Sequence, residues 1–305
     1  IIFLAFSPLN LAISRAIQPD AAMLFFSTAA IVFMDLYVTH ERTRYFILSM
    51  LFSTLAIATK IQSFYIFIVL IYLMFRKVRW RLFRTPSYYA YFLFSMLPVI
   101  WYVWMWHQGK VQHLAYTPYD FTTNRGPAGL SYWDTFAWPF SQKVLKYFFA
   151  HILTPIGILG FFFALIQRKK TARPEAEQLF LVWLGASLFY AVFFWRFLID
   201  HSYYQIPIIA CLAVWVGRGL DQWWKWVSTK KIKIIWHSLT VLLLIASLGT
   251  CLYFYRGIYS IADWGRRIIT AGRVVDEKTP KNSYIIASYL TSPIQLYYCH
   301  RKGWV

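Results

Sequence analysis

Apolar residues run in long stretches separated by short polar blocks, over 1–17, 20–38, 44–59, 61–75, 88–106, 146–166, 178–196, 204–220 and 234–255. A helix needs about 20 apolar residues to cross a hydrocarbon core. These stretches therefore predict nine transmembrane helices, several at the short end. After the last one the pattern changes. Ala262–Val275 reads as an amphipathic helix with Ile268, Ile269 and Val274 as its apolar positions, and Thr279–Ser283 reads as a turn. Tyr284–Tyr289 reads as a β-branched, aromatic strand, and Tyr297-Tyr298 as a second short one. The expected architecture is an all-α polytopic membrane core over 1–255, with a long outer loop 107–145, followed over 256–305 by the start of a small extracytoplasmic α/β domain.

Composition sharpens this picture. Only 14% of the 305 residues are charged and 59% are hydrophobic, whereas soluble domains carry about 25% charged residues. A net charge of +19 could point to nucleic acid, but the cations sit in short blocks between apolar runs. That is the pattern of loops in a polytopic membrane protein, so membrane lipids and no nucleic acid are expected as partners. Sixteen Lys and Arg lie in 39–45, 76–87, 167–177 and 218–233, against seven at the alternate connections. The positive-inside rule assigns the sixteen to the cytoplasm, and the alternation of sides agrees with nine spans. Of 12 acidic residues, only Asp20, Asp120, Asp134 and Asp200 then fall on the outer face of the membrane part. Asp35, near a cytoplasmic helix end, reads as an interfacial or helix-packing residue.

The stretch Ser14-Arg15-Ala16-Ile17-Gln18-Pro19-Asp20 joins two apolar runs and sets an arginine and an aspartate at a membrane boundary. An ionisable pair there points to a functional site. It is equally readable as a helix corner, with Pro19 breaking one helix and Asp20 capping the next. Lys60 closes the run Leu55-Ala56-Ile57-Ala58-Thr59 and either snorkels to the interface or joins that site. Asp200-His201 beside Tyr203-Tyr204 either orients substrate or caps the helix beginning near Gln205-Ile206-Pro207. The loop 107–145, rich in Tyr and Trp and holding His107, His113 and Arg125, is an interfacial anchor or a substrate-holding segment. At one membrane depth the chain thus gathers Arg15, Asp20, Lys60, Arg125, Arg196, Asp200, His201, Tyr203 and Tyr204. Cations with few carboxylates suit a lipid phosphate or diphosphate leaving group, and a carboxylate near an incoming hydroxyl suits a general base.

Other chemistries leave no trace. No glycine-rich nucleotide loop, HExxH or GxSxG pattern occurs, and the three cysteines (Cys211, Cys251, Cys299) have neither metal nor disulfide spacing. Residue 1 falls in mid-helix without a charged leader or Met, so the chain is expected to be a fragment cut at both ends.

Three stretches resemble the polytopic glycosyltransferases of the C superfamily, in the family 39-like branch of protein O-mannosyltransferases and bacterial aminoarabinose transferases. They are Arg15-Ala16-Ile17-Gln18-Pro19-Asp20 before an apolar helix, the helix end Ala56-Ile57-Ala58-Thr59-Lys60, and His201-Ser202-Tyr203-Tyr204-Gln205-Ile206-Pro207. The tail Tyr297-Tyr298-Cys299-His300-Arg301-Lys302-Gly303-Trp304 is similar to part of the extracytoplasmic domain of bacterial members. The resemblance implies an enzyme of the bacterial inner membrane that moves a sugar from a polyprenyl-phosphate-linked donor to a protein, lipid or glycan acceptor on the extracytoplasmic side. It implies Asp20 as the acidic catalytic position and Arg15 and Lys60 as holders of the carrier phosphate. His201, Tyr203 and Tyr204 would line the pocket, with Arg125 and Asp200 as further substrate contacts. The family's best-known catalytic carboxylate lies in its first outer loop, ahead of Ile1, so the general base is expected there. Some relatives use a divalent metal; no ligand set for one is readable here. Two other classes fit the same cations: a transporter or flippase of lipid-linked sugars, although no inverted repeat is evident, and a non-catalytic membrane subunit.

Overall fold

The computed structural model describes residues 19–111, 162, 174–193, 202–256, 261, 263–287 and 294–304. The predicted spans 1–17 and 146–166, apart from residue 162, and nearly all of the loop 107–145 lie outside the described residues. The chain divides into two compact units, Ile1–Leu252 and Tyr253–Val305.

The first unit is helical among the described residues. It contains α1 (Asp20–His40), α2 (Thr43–Thr59), α3 (Ile66–Val78), α4 (Pro86–Val111), α5 (Pro174–Phe193), α6 (Ile206–Ser228) and α7 (Lys233–Tyr255). Short 3₁₀ turns, Ile61–Tyr65 and Arg79–Arg84, flank α3, and a third, Ser202–Gln205, leads into α6. Six described stretches are long and apolar enough to cross a membrane: Asp20–His40, Ile61–Arg84, Pro86–Gln108, Glu175–Phe193, Tyr203–Ser228 and Lys233–Thr250. α2, also apolar, is shorter. The helix predicted to end at 106 continues to Val111, and the one predicted to end at 220 continues to Ser228.

Packing centres on α3, whose Ile66, Val69, Leu70, Leu73 and Met74 are fully buried and which α1 and α5 contact. Small residues bring α1 and α2 together: Ser27 and Ala30 on one, Ser49, Ser53 and Ala56 on the other, all buried. In hydrocarbon nothing drives helices together as water does, so close backbone approach and internal hydrogen bonds take over. Ser49 Oγ donates to the Ala30 carbonyl at 2.7 Å and meets the Tyr91 hydroxyl of α4 at 2.8 Å. Ser53 Oγ meets Ser95 Oγ at 2.6 Å. By contrast α4 and α7 leave most of their apolar surface exposed.

The second unit holds α8 (Asp263–Lys278), β1 (Tyr284–Ile286), α9 (Ile294–Cys299) and β2 (Lys302–Trp304). The strands pair in parallel, Tyr284 opposite Lys302 and Ile286 opposite Trp304. Tyr297 and Tyr298, read from sequence as a strand, are helical, and the second strand lies five residues further on. Two glycines explain the shift. A Cβ on Gly303 would come within 1.7 Å of the Ile285 carbonyl oxygen, so the pairing register requires glycine there. A Cβ on Gly272 would meet Tyr298 Cβ at 2.6 Å, which fixes Tyr298 on α9 against α8. Arg301 holds these pieces together from a buried position. Its guanidinium donates to Asp276 Oδ1 (2.5 Å) and to the carbonyls of Thr279 (2.9 Å), Pro280 (3.0 Å) and Cys299 (3.1 Å). Lys281 and Arg301 hold the Asp276 carboxyl well below the usual carboxylate range.

This packing makes three predictions. Exchanging Tyr91 for Phe leaves Ser49 its bond to Ala30 and removes one interhelical bond, worth about 0.6 kcal/mol in membrane proteins. Ser53→Leu forces a branched side chain between α2 and α4 and costs about 1–3 kcal/mol. Detergent-titration unfolding should rank the second well above the first. In the second unit, Arg301→Met leaves Asp276 its outer partner Lys281 and strands several carbonyls, and hydrogen exchange should show lost protection in Tyr284–Ile286 and Lys302–Trp304 with α1–α3 unchanged. A depressed carboxyl stabilises above its unfolded value and loses that contribution as pH falls through the folded one. The unsubstituted strands should therefore keep full protection from neutral pH down to about 5 and weaken only below the ordinary carboxylate range near 4.

Candidate functional site

The helix run from α2 to α3 breaks at Lys60, which is extended (φ −159°, ψ 120°) between α2 and the 3₁₀ turn. Local bonds fix the break. The Lys60 N–H and Ser63 Oγ both donate to the Ala56 carbonyl, at 3.0 and 2.9 Å. From α4, Tyr102 Oη donates to the carbonyls of Ile57 (3.0 Å) and Ala58 (3.1 Å), which a helix end otherwise leaves open. The Lys60 side chain turns inward from this corner. Its Nζ lies 2.6 Å from Asp20 Oδ1, with Asp20 only 2% exposed and Lys60 12%.

Asp20 enters at the first turn of α1, where backbone N–H groups and the helix dipole favour an anion. Pro19 occupies the N-cap position and no side-chain cap is made, so the Asp20 carboxylate is committed to Lys60. Two rings close the pair from the start of α6: Lys60 Nζ lies 4.1 Å from the Tyr204 ring centre and 4.8 Å from that of Tyr203. Both distances are within cation–π range. Beneath them Tyr65 and Tyr190 pack ring to ring at 5.5 Å. Tyr190 is within electrostatic reach of Asp20 and Tyr204, and the Tyr65 hydroxyl faces Ser27 and the Trp183 indole, although at spacings outside strict hydrogen-bond geometry.

Of the residues predicted from sequence, Asp20, Lys60, Tyr203 and Tyr204 thus come together, 40 and more positions apart in the chain. Lys60 and Asp20, each read from sequence in two ways, pair with one another. Arg15, Arg125, Asp200 and His201 lie outside the described residues. Sequence reading missed Tyr65, Tyr190, Ser27 and Trp183, since each sits inside an apolar run with no charged residue beside it to mark it. Tyr65, five positions after Lys60, carried the clearest signal.

The far ends of the same helices carry a second set of ions. Arg76 of α3 meets Asp35 of α1 at 2.8 Å and Glu175 of α5 at 4.0 Å, and Lys77 meets Glu41 at 2.6 Å. Arg218 of α6 pairs with the buried Glu177 of α5. Asp35 is therefore a helix-packing residue. These pairs tie α1, α3, α5 and α6 to one another and leave the matched ions little to offer a ligand. A pocket in the second unit, lined by residues including Lys281, Tyr284, Tyr297, His300 and Lys302, shares no residue with the Asp20–Lys60 pair. Among the described residues no group of three or more His, Cys, Asp or Glu is arranged to hold a metal ion.

Fold and site together describe a polytopic helical membrane protein with a buried lysine–aspartate pair at one end of its bundle, lidded by two tyrosines. Residues 1–106 match the sequence model of the dolichyl-phosphate-mannose-protein mannosyltransferase family, in agreement with the glycosyltransferase resemblance read from the motifs. That region includes Asp20 and Lys60 but not Tyr203 or Tyr204. No curated protein and no solved structure matches the chain.

The geometry makes the pair testable as a unit. Asp20→Asn or Lys60→Met alone leaves its partner a buried, unmatched ion and should cost about 3–5 kcal/mol. The double substitution should cost less than the two singles together, because it leaves no charge behind. A thermodynamic cycle by detergent-titration unfolding that came out additive would show the two side chains to be uncoupled.

Proposed function

We propose that this protein transfers a sugar from a polyprenyl-phosphate-linked donor to an acceptor on the extracytoplasmic side of the membrane, and that the Lys60 corner grips the donor's phosphate. The observation that carries this reading is a desolvated lysine fixed by a helix break and faced by two aromatic rings, in the region matched to a family described as acting on dolichyl-phosphate-mannose and protein. In that scheme the acceptor's nucleophilic atom bonds to the sugar's anomeric carbon and yields its proton to a general base while the bond from that carbon to the phosphate oxygen breaks, and negative charge grows on the leaving phosphate. An ammonium held in a water-poor site stabilises that charge more strongly than water does. One Lys60 N–H is engaged by Asp20, and the others remain to meet phosphate oxygens. Asp20, named from sequence as the catalytic carboxylate, acts in this proposal as a positioning residue that aims Lys60. Tyr203 and Tyr204 shield the corner.

The finer architecture belongs to the same proposal. It has nine spans, with 1–17 and 146–166 as the two not described, and a membrane core over 1–255 followed by an extracytoplasmic α/β domain over 256–305. The site faces outwards from a bacterial inner membrane, as the distribution of Lys and Arg supports. Arg15, Arg125, Asp200 and His201 complete the substrate site, and the acceptor is a protein, lipid or glycan.

Proteoliposomes supplied with a polyprenyl-phosphate mannose probe test the reading. Lys60→Met should raise the donor KM by roughly 10- to 100-fold, the range of a lost hydrogen bond to a charged group. Asp20→Asn should weaken donor binding through Lys60, and Asp20→Glu should restore part of it. Transfer unchanged in both Asp20→Asn and Lys60→Met would remove the pair from the site.

A further inference from the structure

The 3₁₀ turn Arg79–Arg84, of sequence Arg-Trp-Arg-Leu-Phe-Arg, closes the Ile61–Arg84 helix run at the end away from Lys60. With three residues per turn, positions i and i+3 share a face, so this segment has three distinct faces. Leu82 is buried, 5% exposed, and pins the turn to the bundle. Trp80 and Phe83 form the second face, with ring centres 6.1 Å apart, and they project outwards at 74% and 59% exposure. Arg81 and Arg84 form the third, and both are exposed. The turn is braced as well. Thr85 Oγ1 donates to the Arg81 carbonyl at 2.7 Å, Tyr89 Oη donates to that of Phe83 at 2.7 Å, and Trp80 packs edge-on against Phe75 at 5.3 Å.

Charge matching stops abruptly at this turn. Arg76 and Lys77 each hold a carboxylate. Arg79, Arg81 and Arg84 hold none among the described residues, and the turn contains no acidic residue. The corner between α6 and α7 differs in part: Lys225 is bound to Asp221 and Lys230 lies over the Trp226 ring at 4.3 Å, while Lys231 and Lys233 hold no carboxylate among the described residues. Three guanidinium groups in six residues, unmatched among the described residues and next to two outward aromatic rings, make a surface for a net-negative group attached to an apolar body. Arginine binds phosphate through paired N–H donors, and Trp favours the headgroup level of a bilayer. A zwitterionic headgroup would bring its own cation into this positive field, whereas an anionic one would not.

We propose that the Arg79–Arg84 turn is a binding site for anionic phospholipid. The headgroup phosphate sits on the Arg81–Arg84 face and the acyl boundary lies against Trp80 and Phe83. The site lies apart from Lys60 and does not rest on the glycosyl-transfer reading.

Native mass spectrometry of the purified full chain, titrated with phosphatidylglycerol or phosphatidylcholine, tests this. The unsubstituted protein should retain phosphatidylglycerol selectively. Loss of one basic residue near an anionic surface corresponds to roughly a 5-fold loss of affinity, so Arg81→Gln with Arg84→Gln should lose about 25-fold. Arg81→Lys with Arg84→Lys, which keeps the charge, should fall between. Lys231→Gln with Lys233→Gln removes equal charge from the other corner and should change retention little. If the double glutamine variant fails to fold, each single substitution should still give its ~5-fold loss. Equal retention of phosphatidylcholine, undiminished retention in the arginine variants, or an equal loss in the Lys231/Lys233 variant would each overturn the proposal.

Discussion

The first unit's site depends on the cost of removing an ammonium and a carboxylate from water. Lys60 and Asp20 are each nearly buried and 2.6 Å apart, a state that persists only while each neutralises the other. This constraint reaches well beyond the two residues. It requires α2 to stop at Lys60, so the Ala56, Ile57 and Ala58 carbonyls must find other donors. It requires α1 to begin at Asp20. It also brings the aromatic start of α6 over the ammonium. One ion pair thus meets three helix ends, and the local bonds at Ala56, Ile57 and Ala58 fix the break at one of them.

How much of this is legible in the sequence follows from what periodicity can carry. Runs of apolar residues located α1 to α7 because a membrane helix is apolar on every side, and length alone then marks it. The ends were less legible. α4 continues past the predicted end at 106 through His107 and Lys110, which a hydropathy rule excludes but a helix tolerates. In the second unit the aromatic, β-branched content of Tyr297-Tyr298 favoured a strand. A glycine on α8 decided otherwise, since only Gly272 admits Tyr298 so closely. That is a tertiary contact, and no window of local sequence contains it.

The site was legible in part for the same reason. Asp20 and Lys60 stand out because charge is rare in apolar runs, so their positions were evident, while their pairing was not. Tyr203 and Tyr204 drew notice from their place beside Asp200-His201 at a helix start, and from the motif around them. Tyr65 and Tyr190 could not be: a tyrosine in a membrane helix resembles any other aromatic residue until its neighbours are known, and these two are neighbours across 125 positions.

The two ends of the helix bundle use the same residue types for different ends. Where Arg76, Lys77 and Arg218 meet Asp35, Glu41, Glu175 and Glu177, cations and carboxylates are nearly balanced and each pair joins two helices. Such matched ions fix helix positions and have little left for a ligand. At the Lys60 end one carboxylate serves one ammonium, and among the described residues two π faces also meet it, which attract a cation without neutralising it. Of the three ammonium N–H groups the carboxylate takes one. The difference between a clamp and a binding corner therefore lies in the partners supplied to each cation, and burial of the Lys60–Asp20 pair makes its charges count for more than those of the largely exposed Glu41 and Glu175 at the other end.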